Sequence, residues 1–272
     1  MTRAEAFAKI NLALVVGPLR ADGKHEIASV LHRIDLHDDV ELEPLPSGAI
    51  VVEGFPDDTL VRQALEALAE VSGSRSGWRA RIDKRIPVAA GLGGGSSDAA
   101  AALSLAGAML SEPLPPDRLH GLAAQIGADV PFFLRDGSQV AAGDGSDLSP
   151  VELPLDFAVL LVLPEGVQKE STAAVYRRFD EREGAAGYDE RRAALLDSLA
   201  AVVQPRDLAA LPRNDVTSSP LSAELERLGA FRADVSGAGP AVYGLFEHEG
   251  EADRAARELE GAGRTWVVHP VL

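Results

Sequence analysis

The chain has 272 residues, of which 46% are hydrophobic and 25% are charged, and it carries a formal net charge of −16. This is the composition of a globular protein with a sizeable core, and its negative charge argues against a nucleic-acid partner, because phosphate backbones bind basic surfaces. No run approaches the about 20 apolar residues of a membrane-spanning helix, and the lack of cysteine excludes disulfides and cysteine nucleophiles. We therefore expect a cytoplasmic protein of one or two domains that binds neither nucleic acid nor membrane.

Hydrophobic periodicity predicts alternating strands and helices in the first half of the chain. The predicted strands are residues 6–16, 40–43, 50–52 and 78–86. The predicted helices are residues 59–71, with Thr59 as a plausible cap, 98–110 and 119–126.

The second half predicts an antiparallel sheet with helices on one face, the arrangement of an α+β sandwich. Its predicted strands are residues 157–163, 233–236, 241–246 and 265–268. Its predicted helices are residues 171–179, 189–203, 222–228 and 251–259. Turn-forming residues are concentrated at 144–154, which predicts a boundary between two lobes there.

A glycine-rich run lies between a predicted strand and a long predicted helix. Glycine lets the backbone approach phosphate oxygens closely and adopt positive φ, and the free N–H groups at a helix start attract anions. No Lys-Ser or Lys-Thr follows the glycines, so this is not a Walker A loop. A flexible Gly/Ser turn is the disfavoured alternative. The predicted phosphate-binding residues are Pro87, Val88, Ala89, Ala90, Gly91, Leu92, Gly93, Gly94, Gly95, Ser96 and Ser97.

Three further segments are candidate sites, each with a structural alternative. Lys9 and Asn11 share one face of their predicted strand, and Lys9 is either bound to an anionic partner or exposed at a sheet edge. Asp129 follows a helix-breaking turn and is either a helix cap, the favoured interpretation when it is considered alone, or a catalytic carboxylate. Residues 236–240, Ser-Gly-Ala-Gly-Pro, are either a simple β-turn or part of a site.

Taken in order, these segments resemble the GHMP kinase superfamily over nearly the whole chain. Within it, the triple glycine followed by Ser-Ser-Asp is typical of the branch that phosphorylates 4-diphosphocytidyl-2-C-methyl-D-erythritol in non-mevalonate isoprenoid biosynthesis. The segments that carry the resemblance are residues 8–12, 22–26, 84–100, 127–133, 171–176, 214–215 and 236–240.

The resemblance implies an α+β protein with the two-lobed GHMP kinase fold. Residues 1–150 would form the N-terminal, ATP-binding α+β domain. Residues 151–272 would form the C-terminal domain, an α/β sandwich of ferredoxin-like type.

The resemblance also implies an ATP-dependent small-molecule kinase that uses Mg²⁺ and phosphorylates the 2-hydroxyl of the cytidyl sugar-alcohol diphosphate. Asp129 matches the catalytic carboxylate, and Lys9 matches the residue that keeps this carboxylate ionised. Asn11 matches a residue that contacts the methylerythritol unit. His25 matches the residue that reads the cytosine edge, and Tyr176 matches an aromatic that stacks on the cytosine ring.

The match extends to the adenine site, and the chain departs from the family pattern at two positions, Thr59 beside the adenine and Lys24 in the cytidine pocket. Lys84 and the pair Thr59-Leu60 match the residues beside the adenine, although the family usually has Asn-Leu at the latter pair. Lys24 stands where the family usually has tyrosine, and it either meets the substrate's diphosphate or points into water.

Other functions remain open at this point. The alternatives are another GHMP kinase of homoserine or mevalonate type, the superfamily's diphosphate decarboxylase, and a nucleotide-binding regulator without turnover. The presence of both Lys9 and Asp129 disfavours the regulator, since a binder needs neither. The remaining histidines lack metal-ligand spacing, so we expect no resident metal site, and we expect a monomer or weak homodimer.

Overall fold

The structure is a computed structural model that describes residues 1–46, 48–55, 59–74, 76–167 and 170–272. Its strands are β1 (Thr2–Leu19), β2 (His25–Leu45), β3 (Ile50–Glu53), β4 (Gly77–Asp83), β5 (Ser138–Gly143), β6 (Asp147–Val151), β7 (Ala158–Pro164), β8 (Arg232–Val235), β9 (Val242–Phe246) and β10 (Gly263–Val268). Its helices are α1 (Thr59–Ser72), α2 (Gly94–Ala108), α3 (Pro116–Ile126), α4 (Val130–Phe133), α5 (Thr172–Glu181), α6 (Tyr188–Ala200), α7 (Pro220–Arg227) and α8 (Glu249–Glu258), with a 3-10 helix at Pro205–Ala210. Within these described ranges, no helix is long and apolar enough to cross a bilayer.

The chain divides into two compact units, each built from three separate stretches of sequence. Unit 1 comprises Met1–Ala8, Leu36–Val88 and Gly93–Asp136. Unit 2 comprises Lys9–Asp35, Ala89–Leu92 and Gly137–Leu272. Strands β1 and β2 and the glycine-rich run each contribute to both units. The compact units therefore do not follow the division into residues 1–150 and 151–272, which stays a prediction about the family's domains.

Unit 1 is a small sheet covered by helices. The second half of β2 pairs antiparallel with β4, and β3 pairs parallel with β4. Trp78 on β4 is 1% exposed and lies in a core that α1 and α2 cover. In α1 the buried residues are Val61, Ala64, Leu65 and Leu68, the helical spacing that the sequence predicted.

Unit 2 contains the antiparallel sheet that the second half of the sequence predicted. The strand order is β10-β7-β9-β8, and every neighbouring pair is antiparallel. Helices α7 and α8 bury Leu225, Ala252 and Ala255 against apolar residues of these strands, which confirms the expected α+β sandwich.

The turn-rich residues 144–154 do not coincide with a boundary between the two compact units, because the chain on both sides of them lies in unit 2. They contain the turn and second strand of a hairpin in unit 2, in which β5 and β6 pair antiparallel and the first half of β2 pairs with β5. Gly145 supplies a positive φ of 104° at the turn, so the turn formers here reverse the chain within one sheet.

Candidate active site

Between residues 89 and 93 of the glycine-rich run, every second residue has a left-handed backbone. The φ angle is 62° at Ala89, 86° at Gly91 and 75° at Gly93. Alternation of αR and αL residues turns successive N–H groups toward one side and forms an anion-binding nest, and the left-handed half of that pattern is present here. Ala89 adopts this conformation without glycine's freedom, a form of backbone strain that clusters at functional sites.

Helix α2 begins within this run, at Gly94, and its N-terminus has no side-chain cap. Gly93 is the N-cap residue, and the N–H of Ser97 donates to the carbonyl oxygen of Gly93 at 2.9 Å. The N–H groups of Gly94, Gly95 and Ser96 come before that bond and face outward from the first turn. With the helix dipole, they support the predicted phosphate site.

The turn at residues 236–240 packs against the first half of the glycine-rich run. Ser236 donates its hydroxyl hydrogen to the carbonyl oxygen of Gly91 at 2.9 Å, and a Cβ on Gly91 would lie 2.2 Å from the carbonyl oxygen of Ser236. The N–H of Lys9 donates to the carbonyl oxygen of Leu92 at 2.9 Å. This turn is therefore part of the candidate site, and the sequence had left it undecided.

Lys9 and Asn11 lie side by side on β1 and are almost completely buried. They are 4% and 6% exposed, and the Lys9 ammonium donates to Asn11 Oδ1 at 2.6 Å. Lys9 is therefore not an edge-strand lysine in water, one of the two alternatives that the sequence left open. A buried ammonium requires polar partners, and Asn11 provides one without cancelling the charge.

Lys84 connects two fully buried carboxylates in unit 1. Its Nζ donates to Asp38 at 2.6 Å and to Asp98 at 2.7 Å, and it would lie 3.3 Å from a Cβ on Gly94, the first residue of α2. Burial acts to lower the pKa of Lys84, but the two carboxylates outweigh it and raise that pKa above its usual value. Lys84 thus stabilises the first turns of helix α2.

Asp129 occupies the N-cap position of α4, but its side chain makes no capping hydrogen bond. The turn is closed instead by the N–H of Val130, which donates to the carbonyl oxygen of Gly127 at 3.1 Å. Considered alone, the cap was the favoured interpretation of this residue, and the structure does not support it. The side chain is half-buried and does not cap the helix.

His25 and Tyr176 lie together in unit 2. Their ring centroids are 5.0 Å apart with an interplanar angle of 36°, and Phe179 meets His25 edge-on at 5.8 Å. Each ring of a stack lies at least about 4.5 Å from the next, measured between centroids. A base between His25 and Tyr176 would need these two rings to be about twice that distance apart, so no base fits between them here. A base can pack only against the outside of this ring pair.

The hydrogen bonds of His25 constrain what its ring offers to a ligand. Nδ1 lies 2.9 Å from the carbonyl oxygen of Gly17 and must carry a proton to donate to it. In the neutral ring Nε2 is then an acceptor, so it makes no hydrogen bond to the Asp180 carboxylate 3.4 Å away and can accept one from a ligand.

Lys24 does not simply point into water, which is one of the two arrangements that the sequence suggested. Its ammonium bonds to the Asp144 carboxylate at 2.5 Å, with the Lys24 side chain half exposed. Burial acts to raise the pKa of Asp144, but hydrogen bonds from Lys24 and Ser146 outweigh it and lower that pKa to about 2. Lys24 is therefore held by a carboxylate of its own unit.

The predicted adenine contacts at Thr59 and Leu60 form the first turn of α1. Thr59 is exposed and is the first helical residue, so it is not the cap that the sequence suggested. Leu60 packs against the core of unit 1.

Two polar side chains that were not predicted as site residues, Asn214 and Tyr243, form hydrogen bonds to the backbone of the candidate site. Asn214 donates from Nδ2 to the carbonyl oxygen of Val235 at 3.0 Å and to that of Gly237 at 2.7 Å, which holds the 236–240 turn. The hydroxyl of Tyr243, which is fully buried, donates to the carbonyl oxygen of Asn11 at 3.1 Å. A tyrosine in an apolar strand gives no sequence signal for this contact.

The described residues contain no cluster of three or more acidic or histidine side chains placed to hold a metal ion. Mg²⁺ that accompanies ATP is bound mainly by phosphate oxygens and water. The hydroxyls of Ser96 and Ser97, at the start of α2, are the kind of oxygen ligand that fits such a partly liganded ion.

Comparison with known proteins places these features in a family. Residues 59–137 match the GHMP kinases N terminal domain, and residues 220–265 match the GHMP kinases C terminal domain. The chain is 37% identical to a 4-diphosphocytidyl-2-C-methyl-D-erythritol kinase of Desulfitobacterium hafniense, over 97% of this chain and 94% of that protein. A kinase of the same name from Geobacillus thermodenitrificans is 38% identical, over 94% of this chain and 92% of that protein.

Solved structures agree with this assignment. A crystal structure of 4-(cytidine 5'-diphospho)-2C-methyl-D-erythritol kinase is 31% identical, with a TM-score of 0.81 and complete coverage of both chains. A mevalonate kinase of Methanococcus jannaschii has a TM-score of 0.74 at 15% identity, over 100% of this chain and 98% of that chain, and so shares the fold alone. The chain has the GHMP kinase fold and belongs to the GHMP kinases, in the family of 4-diphosphocytidyl-2-C-methyl-D-erythritol kinases.

Proposed function

We propose that this chain transfers the γ-phosphoryl group of ATP to the 2-hydroxyl of 4-diphosphocytidyl-2-C-methyl-D-erythritol, with Mg²⁺ as the companion of ATP. The observation that carries the proposal is 37% identity, over 97% of the chain, to a protein of that name. In phosphoryl transfer, the protein contributes mainly positioning and charge stabilisation. The residues described above are of the types that supply both.

The phosphates of ATP bind at residues 87–97 in this proposal. The left-handed backbone at Gly91 and Gly93 and the uncapped start of α2 support it, since both direct N–H groups toward an anion. Backbone N–H groups are fixed dipoles and need no net positive charge, which suits a chain with a net charge of −16.

Asp129 orients or accepts the proton of the attacking 2-hydroxyl, and Lys9 keeps this carboxylate ionised. These roles come from the family match, residue by residue. The missing cap bond of Asp129 supports its part. The burial of Lys9 supports the other part, because an ammonium held in a low-dielectric environment acts strongly on a nearby anion.

His25 and Tyr176 bind the cytosine ring. In the neutral ring of His25, Nε2 accepts a hydrogen bond, and cytosine carries an exocyclic amine that donates one. Uracil has a carbonyl at that position and would place two acceptors against each other. The proposal therefore includes discrimination between cytidyl and uridyl substrates.

The test is turnover of a substrate panel by the purified chain with ATP and Mg²⁺. We expect ADP and a phosphorylated product, seen by phosphorus NMR, from the cytidyl substrate, and none from its uridyl analogue, homoserine or mevalonate. Turnover of homoserine or mevalonate with an inert cytidyl substrate would refute the proposed substrate. ATP binding without any turnover would identify a regulator instead.

The Asp129→Asn variant tests the catalytic assignment. We expect turnover to fall by about 10²- to 10⁴-fold, the usual contribution of a positioned acid or base, while the Kd for ATP changes by less than about twofold. Asp117→Asn, at an exposed aspartate in the first turn of α3, is the matched control. A large loss of ATP binding in Asp129→Asn would contradict the assigned role.

A further inference from the structure

Three buried polar side chains form a line across β1 and β2. Lys9 Nζ donates to Asn11 Oδ1 at 2.6 Å, Asn11 Nδ2 donates to Ser29 Oγ at 2.8 Å, and Ser29 Oγ donates to the carbonyl oxygen of Ala13 at 2.7 Å. Ser29 is 0% exposed. Neither the sequence motifs nor the family match assigned Ser29 a role.

The direction of every bond in this line is set at its Ser29 end. The carbonyl oxygen of Ala13 can only accept, so it takes the single hydroxyl hydrogen of Ser29. Ser29 Oγ must then accept from Asn11, which turns the Asn11 NH₂ group toward Ser29 and the Asn11 Oδ1 toward Lys9.

The Lys9 end requires the same orientation independently. An ammonium has three donors and no acceptor, so only Oδ1 of Asn11 can face it. A flipped amide would set NH₂ against the ammonium and an oxygen against a hydroxyl whose hydrogen is already used.

We propose that Ser29 is a positioning residue that fixes the Asn11 amide and thereby aims the Lys9 ammonium. This inference rests on the proposed function insofar as Lys9 acts on the catalytic carboxylate. Without the Ser29 hydroxyl, the Asn11 NH₂ group loses its acceptor and only the bond to Lys9 still holds the amide, so Asn11 and the ammonium bonded to it are held less rigidly.

The backbone of β1 is held separately from this line. The N–H of Asn11 donates to Ser236 Oγ at 3.3 Å, and the N–H of Lys9 donates to the carbonyl oxygen of Leu92 at 2.9 Å. Removal of the Ser29 hydroxyl should therefore disturb side-chain orientation while the strand keeps its place.

The first experiment needs no turnover, so it separates this inference from the proposed function. The chain contains only two asparagines, Asn11 and Asn214, and labelling of asparagine side chains with heavy nitrogen should give two NH₂ signals in NMR spectra. Asn11→Ala assigns the pair. In Ser29→Ala we expect the Asn11 signal to shift and to exchange with water at least ~10-fold faster. The Asn214 signal should stay in place, because its NH₂ group donates to Val235 and Gly237.

The second experiment measures kinetics with the cytidyl substrate. For Ser29→Ala we expect kcat to fall by up to ~100-fold, the scale of a misplaced catalytic group, with KM for ATP within about twofold and the melting temperature close to wild type. Ser138→Ala removes another buried serine hydroxyl, one that bonds to His32 at 2.5 Å, and it should leave kcat unchanged.

Each experiment can overturn the inference. An Asn11 signal that is unchanged in Ser29→Ala would show that the hydroxyl does not orient the amide. A moved signal with an unchanged kcat would show that the orientation does not matter to the reaction. If wild type does not turn over the cytidyl substrate, the proposed function fails while the NMR result still decides what orients Asn11.

Discussion

Acid should destabilise this protein through one histidine, His32. Its ring is fully buried on β2, stacks on Phe157 with ring centroids 5.8 Å apart, and bonds through Nδ1 to Ser138. Its Nε2 is buried and has no hydrogen-bond partner among the described residues. A proton on that nitrogen would therefore be a buried charge without a partner.

The size of this loss of stability follows from the pKa of His32. Burial lowers the pKa of His32 from 6.5 to about 4, and each pKa unit corresponds to about 1.36 kcal/mol, so the difference is about 3 kcal/mol. Between these two pH values the unfolded chain binds a proton that the folded chain does not. Stability contributed by neutral His32 is therefore complete above pH 6.5 and is lost as the pH falls toward about 4.

The assay is urea unfolding followed by circular dichroism at several pH values between about 4 and about 7.5. His32→Gln removes the titrating group and keeps an amide that can bond to Ser138. We expect the free energy of unfolding of wild type to fall by about 3 kcal/mol more than that of His32→Gln over this range. His248→Gln, at an exposed position, controls for the removal of any histidine.

Equal losses of stability in wild type and His32→Gln would refute this reasoning. So would a His32 signal in NMR spectra that titrates near 6.5, because it would show that the buried ring takes up a proton as readily as one in water.

Two further predictions concern the segment around the glycines. Lys84→Met should destabilise the chain by about 3–5 kcal/mol in urea unfolding, because it leaves two buried carboxylates without their cation. Arg81→Met, at a mostly exposed arginine that pairs with a glutamate, should change stability by less than about 1 kcal/mol, and equal effects would contradict the assigned role of Lys84. Gly91→Ala should lower the melting temperature and weaken ATP binding, because its φ is 86° and its Cβ would clash with Ser236. Gly121→Ala, in open space within α3, should instead stabilise the chain by about 0.5–1 kcal/mol, and a harmless Gly91→Ala would show that the loop backbone tolerates a side chain.

The sequence was sufficient to predict helices whose buried residues recur at regular spacing. Helix α1 was predicted as residues 59–71 and observed at Thr59–Ser72, because its apolar residues recur with helical spacing. Helix α2 was predicted from residue 98 but begins at Gly94. Glycine disfavours helix by about 1 kcal/mol, and packing of the alanine face into the core overrides that preference.

Long strands were harder to predict than helices. Residues 6–16 and 40–43 were predicted as strands and do lie in strands, but the observed strands β1 (Thr2–Leu19) and β2 (His25–Leu45) are longer. The polar residues that interrupt the pattern are paired inside the fold, as Asn11 is with Ser29. Pairing between residues 18 positions apart leaves no local signal.

The residues of the candidate site also differ in whether the sequence could identify them. The glycine-rich run could be identified from residue type and spacing, whereas Lys9 and Asp129 were assigned roles only by the family resemblance. Ser29 and Tyr243 could not be identified, because what distinguishes them is a partner far away in the chain, as when the Tyr243 hydroxyl bonds to the carbonyl of Asn11. Asn214 lay in a segment of the resemblance, but without a role.

The interleaving of the two compact units has a consequence for synthesis in a cell. Residues 9–35 belong to unit 2, whose main stretch starts only at Gly137. At about 5–20 residues per second, a ribosome needs roughly 5–20 s to make the stretch between them. During that interval Leu14 and Val16 of β1 are without Val175, Phe179 and Val216, with which they form a buried cluster in the finished fold. The nascent chain therefore exposes a long, apolar strand edge early, and a molecular chaperone that binds such strands would act on residues 9–35 first.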